Sequence, residues 1–185
     1  MNNWKPYTIL VIVISGLFTG IYFYVKSGEP KGPDHSVAYE VSGNGNHIAE
    51  GSPRPNYNSN PPTSGPHYDK PAHEGFYSES IIDEHIVHNL EHGDIWVSYR
   101  ASTTPASVIE QLKSLSDPKL IITPRATNPN DICQSSWGHL DCCNLDGLPA
   151  QAGKPLDTER INDFSKRYRY KGPEQVDPVA QINFN

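Results

Sequence analysis

A chain of 185 residues has room for one domain and its attachments and excludes a second sizeable core. Fifteen basic against twenty-one acidic residues give a net charge of −6, and no basic cluster lies outside the flanks of one apolar segment, so nucleic acid is excluded as a partner. Seventeen prolines and fourteen glycines assign much of the chain to irregular loop.

Residues 1–6 form a head too short to be a domain. Residues 7–25, YTILVIVISGLFTGIYFYV, carry no charge. At ~1.5 Å per residue they are long enough to cross a bilayer as a helix. Trp4 and Tyr7 mark one interface, and Tyr22 and Tyr24 the other. The rival reading is a cleaved signal peptide, but the run is long for one and no A-x-A-like site follows it. The expectation is an uncleaved single-pass anchor with its bulk extracytoplasmic, periplasmic or extracellular. Gly16 and Gly20 form a G-x-x-x-G through which two anchors would pair as a homodimer.

Residues 26–51, rich in Gly, Asn, Ser and charge, read as a flexible stalk in which His35 and His47 are merely solvated. Residues 52–185 are then the exported domain. It starts with SPRPNYNSNPPTSGPHYDKP, whose prolines forbid a helix. Within it Thr63-Ser64-Gly65-Pro66 is a turn that presents His67 and Tyr68.

SESIIDEHIVHNLEHG follows and has two readings. As a helix over Ser80–His92 it has a capping box at Ser80–Asp83, Gly93 past its end, and Ile82, Ile86 and Leu90 as a buried stripe. On that wheel His85, His88 and His92 fall within about 60° of one another. As a strand continuing into DIWVSYR, it would hold His88 and His92 ~13 Å apart, too far to share an ion. The local signals favour the helix.

DIWVSYR itself is strand-like. A helix capped by Thr104 with Pro105 at its first position comes next, carried by Val108, Leu112 and Leu115. LIITPR is a short strand and DICQSSWGHLDCC a hairpin. Thr158 caps a last helix with Ile161, Phe164 and Tyr168 on one face. The expected fold is α+β: one small mixed or antiparallel sheet, with two or three helices on one side, behind the membrane helix.

Five of the eight histidines, His67, His73, His85, His88 and His92, lie in a 26-residue window. Imidazole suits copper, zinc, iron or nickel, and with Met1 the single methionine a thioether Cu(I) site is excluded. The expected centre takes His88 and His92 one helical turn apart and His67 from the proline loop, with His85 near by and copper or zinc as the ion. Asn89 and Glu91 would orient the ligands from behind. His88-Asn89-Leu90-Glu91-His92 also fits H-x-x-E-H, in which Glu91 would activate water on zinc. The strand that starts straight after Gly93 leaves little of the long helix such peptidases use.

The three cysteines follow from the hairpin. If Trp137-Gly138 is its two-residue turn, Ser136 faces His139 and, counting outward, Cys133 faces Cys142, so a cross-strand disulfide would leave Cys143 free. A thiolate site with His139, or a vicinal 142–143 bridge, are the alternatives.

NPPTSGPHY (Asn60–Tyr68), EGFY (Glu74–Tyr77), VHNLEHG (Val87–Gly93), SWG (Ser136–Gly138) and RYKGPE (Arg169–Glu174) together resemble a bacterial family of membrane-anchored domains of unknown function, over roughly Asn58–Glu174. The motif residues are Pro61, Pro62, Thr63, Ser64, Gly65, Pro66, His67, His88, Asn89, Glu91, His92, Gly93, Trp137 and Gly138. The resemblance implies an N-terminal membrane helix, an extracytoplasmic α+β domain and no established reaction. The cysteines fall outside it. Three functions compete: a tethered metal-binding protein, a metal-dependent hydrolase or oxidoreductase with Glu91 as base, and an interaction module docking a protein partner in the cell envelope.

Overall fold

The structure is a computed structural model that describes residues 5–145 and 156–174. Trp4, expected at a membrane interface, lies outside them. Helix α1 (Lys5–Ser27) has a mean hydropathy of 2.1 over its apolar stretch, and none of that stretch is buried within the protein. By length and composition it suits a membrane anchor or a signal sequence. Within it Ser15 Oγ donates to the Val11 carbonyl and Thr19 Oγ1 to the Ser15 carbonyl, both at 2.8 Å, so these hydroxyls are satisfied inside the helix. The space around Gly16 and Gly20 is open.

The segment expected as a stalk is instead docked on the domain. Lys31 N and Gly32 N donate to the Asp163 carboxylate, and Tyr168 Oη donates to Asp34 at 2.5 Å. Two short strands also come from it, β1 (Val37–Ala38) and β2 (His47–Ile48). β2 pairs in parallel with β3 (His67–Tyr68). Strands of two residues show no hydrophobic period, so a polar, glycine-rich stretch hid them.

The main sheet has the order β1-β8-β7-β5-β6-β4, with β4 (Gly75–Phe76), β5 (Ile95–Tyr99), β6 (Leu120–Pro124), β7 (Ile132–Ser136) and β8 (His139–Cys143). It is mixed: β4, β5 and β6 run parallel, while β7, β8 and β1 are antiparallel to their neighbours. With helices α2 (Asp83–Glu91), α3 (Ala106–Lys113) and α4 (Thr158–Tyr168), the fold is α+β.

Alternation along β5 divides the core. Ile95, Val97 and Tyr99 face Val108 and Leu112 of α3 and Ile161 and Phe164 of α4. Trp96, between them, faces the other way, with Ile86 and Leu90 of α2 and Ile121 of β6. Helices therefore cover both faces, not one as the element order suggested, which is why all five residues of β5 are buried.

Hairpin β7–β8 pairs Ser136 with His139 and Cys133 with Cys142, and the two cysteines are disulfide-bonded. Cys143 is free, partly buried against the α3–α4 core.

The helix caps differ from the sequence expectation by one to three residues. α2 starts at Asp83 after Ile82, with no side-chain cap in place of the expected box. α3 starts after Pro105 rather than Thr104, and α4 is capped by Asp157, whose carboxylate accepts from Arg160 N at 2.9 Å. A polar residue next to a helix start competes with its neighbours for the same role.

Candidate metal centre

The centre lies where the β2–β3 pair meets α2. The parallel register sets His47 directly beside His67, so their side chains leave the ladder on the same face. Their rings meet edge to face, with centroids 5.0 Å apart. The loop before β2 reaches this position because Gly43 has no side chain: a Cβ there would come within 2.3 Å of the Gly65 backbone. Ser42 N donates to Ser64 Oγ at 3.2 Å, joining the two loops.

α2 supplies the opposite wall. His88 faces β3 and stacks on His47, with centroids 4.9 Å apart and planes 7° from parallel. His92, one turn on, brings Nε2 to 3.1 Å from His88 Nε2. Helix-period spacing thus puts these two rings together, while Gly93, with φ at 81°, ends the helix and starts the turn into β5.

Three rings are held by the nitrogen that does not face the centre. His67 Nδ1 lies 2.8 Å from the Gly65 carbonyl and His88 Nδ1 2.7 Å from the Tyr68 carbonyl. His47 Nδ1 lies 3.1 Å from Asp69 Oδ1. A carbonyl oxygen only accepts, so Nδ1 of His67 and of His88 carries the proton and donates, which leaves Nε2 to offer a lone pair. This is how proteins orient imidazole ligands toward metal. One ring nitrogen from each of His47, His67 and His88 lies within 4.8 Å of those from the other two.

Glu91 completes the floor. Its side chain and that of His67 are 0% exposed. Glu91 Oε1 accepts from Gly45 N at 2.6 Å, and Oε2 stands 3.1 Å from His67 Nε2. Neither His67 Nε2 nor Glu91 Oε2 meets a hydrogen-bond partner, although the two stand at ion-pair distance in the buried floor. Burial lowers the pKa of His88 and of His92 below the usual 6.5. Both are therefore neutral, and competent as ligands, at pH 7.

Of the residues expected here, His67, His88 and His92 come together with Glu91, while two do not join. His85 Nδ1 turns to the Lys70 carbonyl at 2.5 Å, and its ring packs edge-on against Tyr68. Asn89 braces the backbone of Ala72 and the Asp94 carboxylate instead of an imidazole. His47, expected to be solvated, is the third member of the cluster. Only its place after the turn residues Gly43-Asn44-Gly45-Asn46 hinted at a strand there. Glu174 was also missed: its Oε2 lies 3.5 Å from His92 Nε2.

A family described as "Protein of unknown function (DUF3105)" matches residues 48–180, more than two thirds of the chain. The chain belongs to this family. The DUF3105 match takes in His67, His88, Glu91, His92 and Glu174, and it begins one residue after His47. No curated protein and no solved structure matches the chain.

Proposed function

We propose that this protein is a membrane-anchored, extracytoplasmic metal-binding protein that holds copper(II) or zinc on His47, His67 and His88. The observation that carries the reading is the anchoring of all three rings through Nδ1, with their ligand atoms converging within 4.8 Å. All three donors are imidazole nitrogens, which suits zinc or copper(II) better than the oxygen-seeking magnesium or calcium. The anchor reading is supported by the apolar, unburied α1, and export by the Cys133–Cys142 disulfide, a bond favoured in oxidising compartments.

Binding is favoured over hydrolysis by the position of Glu91. A general base must reach a water molecule on the ion, whereas Glu91 has one oxygen held by Gly45 N and the other against His67, and α2 ends at this residue.

The test is elemental analysis of the full chain purified in detergent, before and after loading with zinc or copper. At least one ion per chain is expected, and His67→Ala should lose it. A protein that is metal-free as purified and takes up neither added metal overturns the reading. Extraction of membranes at high pH checks the anchor: the chain should stay in the pellet.

A further inference from the structure

The proposed centre has more donors than one four-coordinate ion uses. Glu91, His92 and Glu174 stand beside His47, His67 and His88. Two ligands ~2.0–2.1 Å from one ion lie about 3.3 Å apart at a tetrahedral angle. Two separate pairs have nearly that spacing: His67 Nε2 with Glu91 Oε2, and His88 Nε2 with His92 Nε2, each at 3.1 Å. They also differ in access. The first pair is sealed at 0% exposure, while the second opens toward Glu174, with His92 and Glu174 side chains 11% and 54% exposed.

Glu174 is delivered by the backbone. Its N–H donates to the Glu91 carbonyl at 3.1 Å, and Tyr170 N donates to the Gly93 carbonyl at 2.8 Å. Gly172 packs so closely between them that a Cβ would come within 2.0 Å of the Glu91 carbonyl oxygen. The segment 169–174 is thus seated on the end of α2, and its carboxylate overlooks the solvent-facing pair.

From this arrangement, and resting on the metal-binding reading above, we propose that the centre takes two divalent transition-metal ions. At full loading the inner ion is held by His47, His67 and Glu91, and the outer ion by His88, His92 and Glu174. Each ion then has two neutral imidazoles and one carboxylate, so neither buried charge is left with neutral ligands alone. His88 lies within 4.8 Å of the inner histidines, which keeps the ions adjacent, as in two-metal sites. His92 Nδ1 lacks the anchoring partner that holds the other three rings. The outer position is accordingly the weaker and fills second.

Equilibrium dialysis of the full chain in detergent against zinc tests this. The wild type should bind two ions in two steps of unequal affinity, while Glu174→Gln and His92→Ala should each bind one. Glu174→Gln is isosteric at a half-exposed position, so it decides the matter if His92→Ala fails to fold. One ion per wild-type chain, or two ions in Glu174→Gln, overturns the two-ion site. No zinc bound at all overturns the metal reading itself.

Discussion

Two buried polar regions flank the ends of α2, and they are built on opposite rules. At the start of the helix, Arg125 Nε donates to both Asp83 oxygens at 3.0 and 3.2 Å, and Nη2 donates to Oδ2 at 2.8 Å. Arg54 Nη2 adds a bond of 2.5 Å, and Arg125 Nη1 reaches Asn128 at 3.3 Å. Around the Asp83 carboxylate donors meet acceptors, although Asn128 Nδ2 and Glu84 Oε1 beside it have no hydrogen-bond partner. At the end of the helix, His67 Nε2 and Glu91 Oε2 face each other with no hydrogen-bond partner. The two atoms stand 3.1 Å apart, at ion-pair distance, without a hydrogen bond between them. The first region is held by its own arginine–carboxylate pairs, whereas the second sets an imidazole and a carboxylate, both metal donors, against each other.

Breaking the first region should have the largest effect on stability. Arg125→Ala strips the buried Asp83 of its bidentate partner and should cost about 3–5 kcal/mol in urea unfolding, with zinc binding by the folded chain unchanged. A cost below about 1 kcal/mol would put the two regions on the same footing. Next comes the ligand itself. Zinc at a hundredfold excess over Kd should raise wild-type stability by about 2.7 kcal/mol and leave His67→Ala unmoved, as read by thermal melting; equal gains in both would remove His67 from the site.

Acidification separates the regions more gently. The folded-state pKa values of His88 and His92 are lowered below 6.5 by burial, so as pH falls the unfolded chain takes up protons first. Stability of the metal-free protein should be full above pH 6.5 and decline below it. Urea melts at pH 7.5 and 5.5 would show this, and a chain that grows more stable in acid contradicts it. The smallest global effect belongs to Gly172→Ala. Its Cβ would drive segment 169–174 off the Glu91 carbonyl, a local release costing about 1 kcal/mol or less. Limited proteolysis should then cut after Tyr168 faster than in the wild type.

Much of the frame was legible because local chemistry sets it. The alternation of IWVSY identifies β5, and the spacing of Ile86 and Leu90 identifies α2, while Ile82, expected in the same buried stripe, is exposed just ahead of the helix. A two-residue turn at Trp137-Gly138 fixes every pair of the hairpin outward to Cys133 and Cys142. Close spacing likewise put His88 and His92 on one turn. What escaped is non-local. His47 joins His67 through a two-residue parallel bridge twenty positions away, and Glu174 reaches His92 by backbone bonds across the end of a helix. Neither contact leaves a periodic trace in sequence. The side of the sheet taken by α2 was missed for a related reason: its apolar stripe shows that it packs, but not on which face.

The histidine loop has a practical side. Because β2 opens with His47, one position ahead of the stretch shared with DUF3105, a fragment trimmed to the matched boundary would retain every strand of the main sheet but the β1 edge and lose one imidazole of the centre. Such a fragment could fold, behave well in solution and return a false negative in any metal assay.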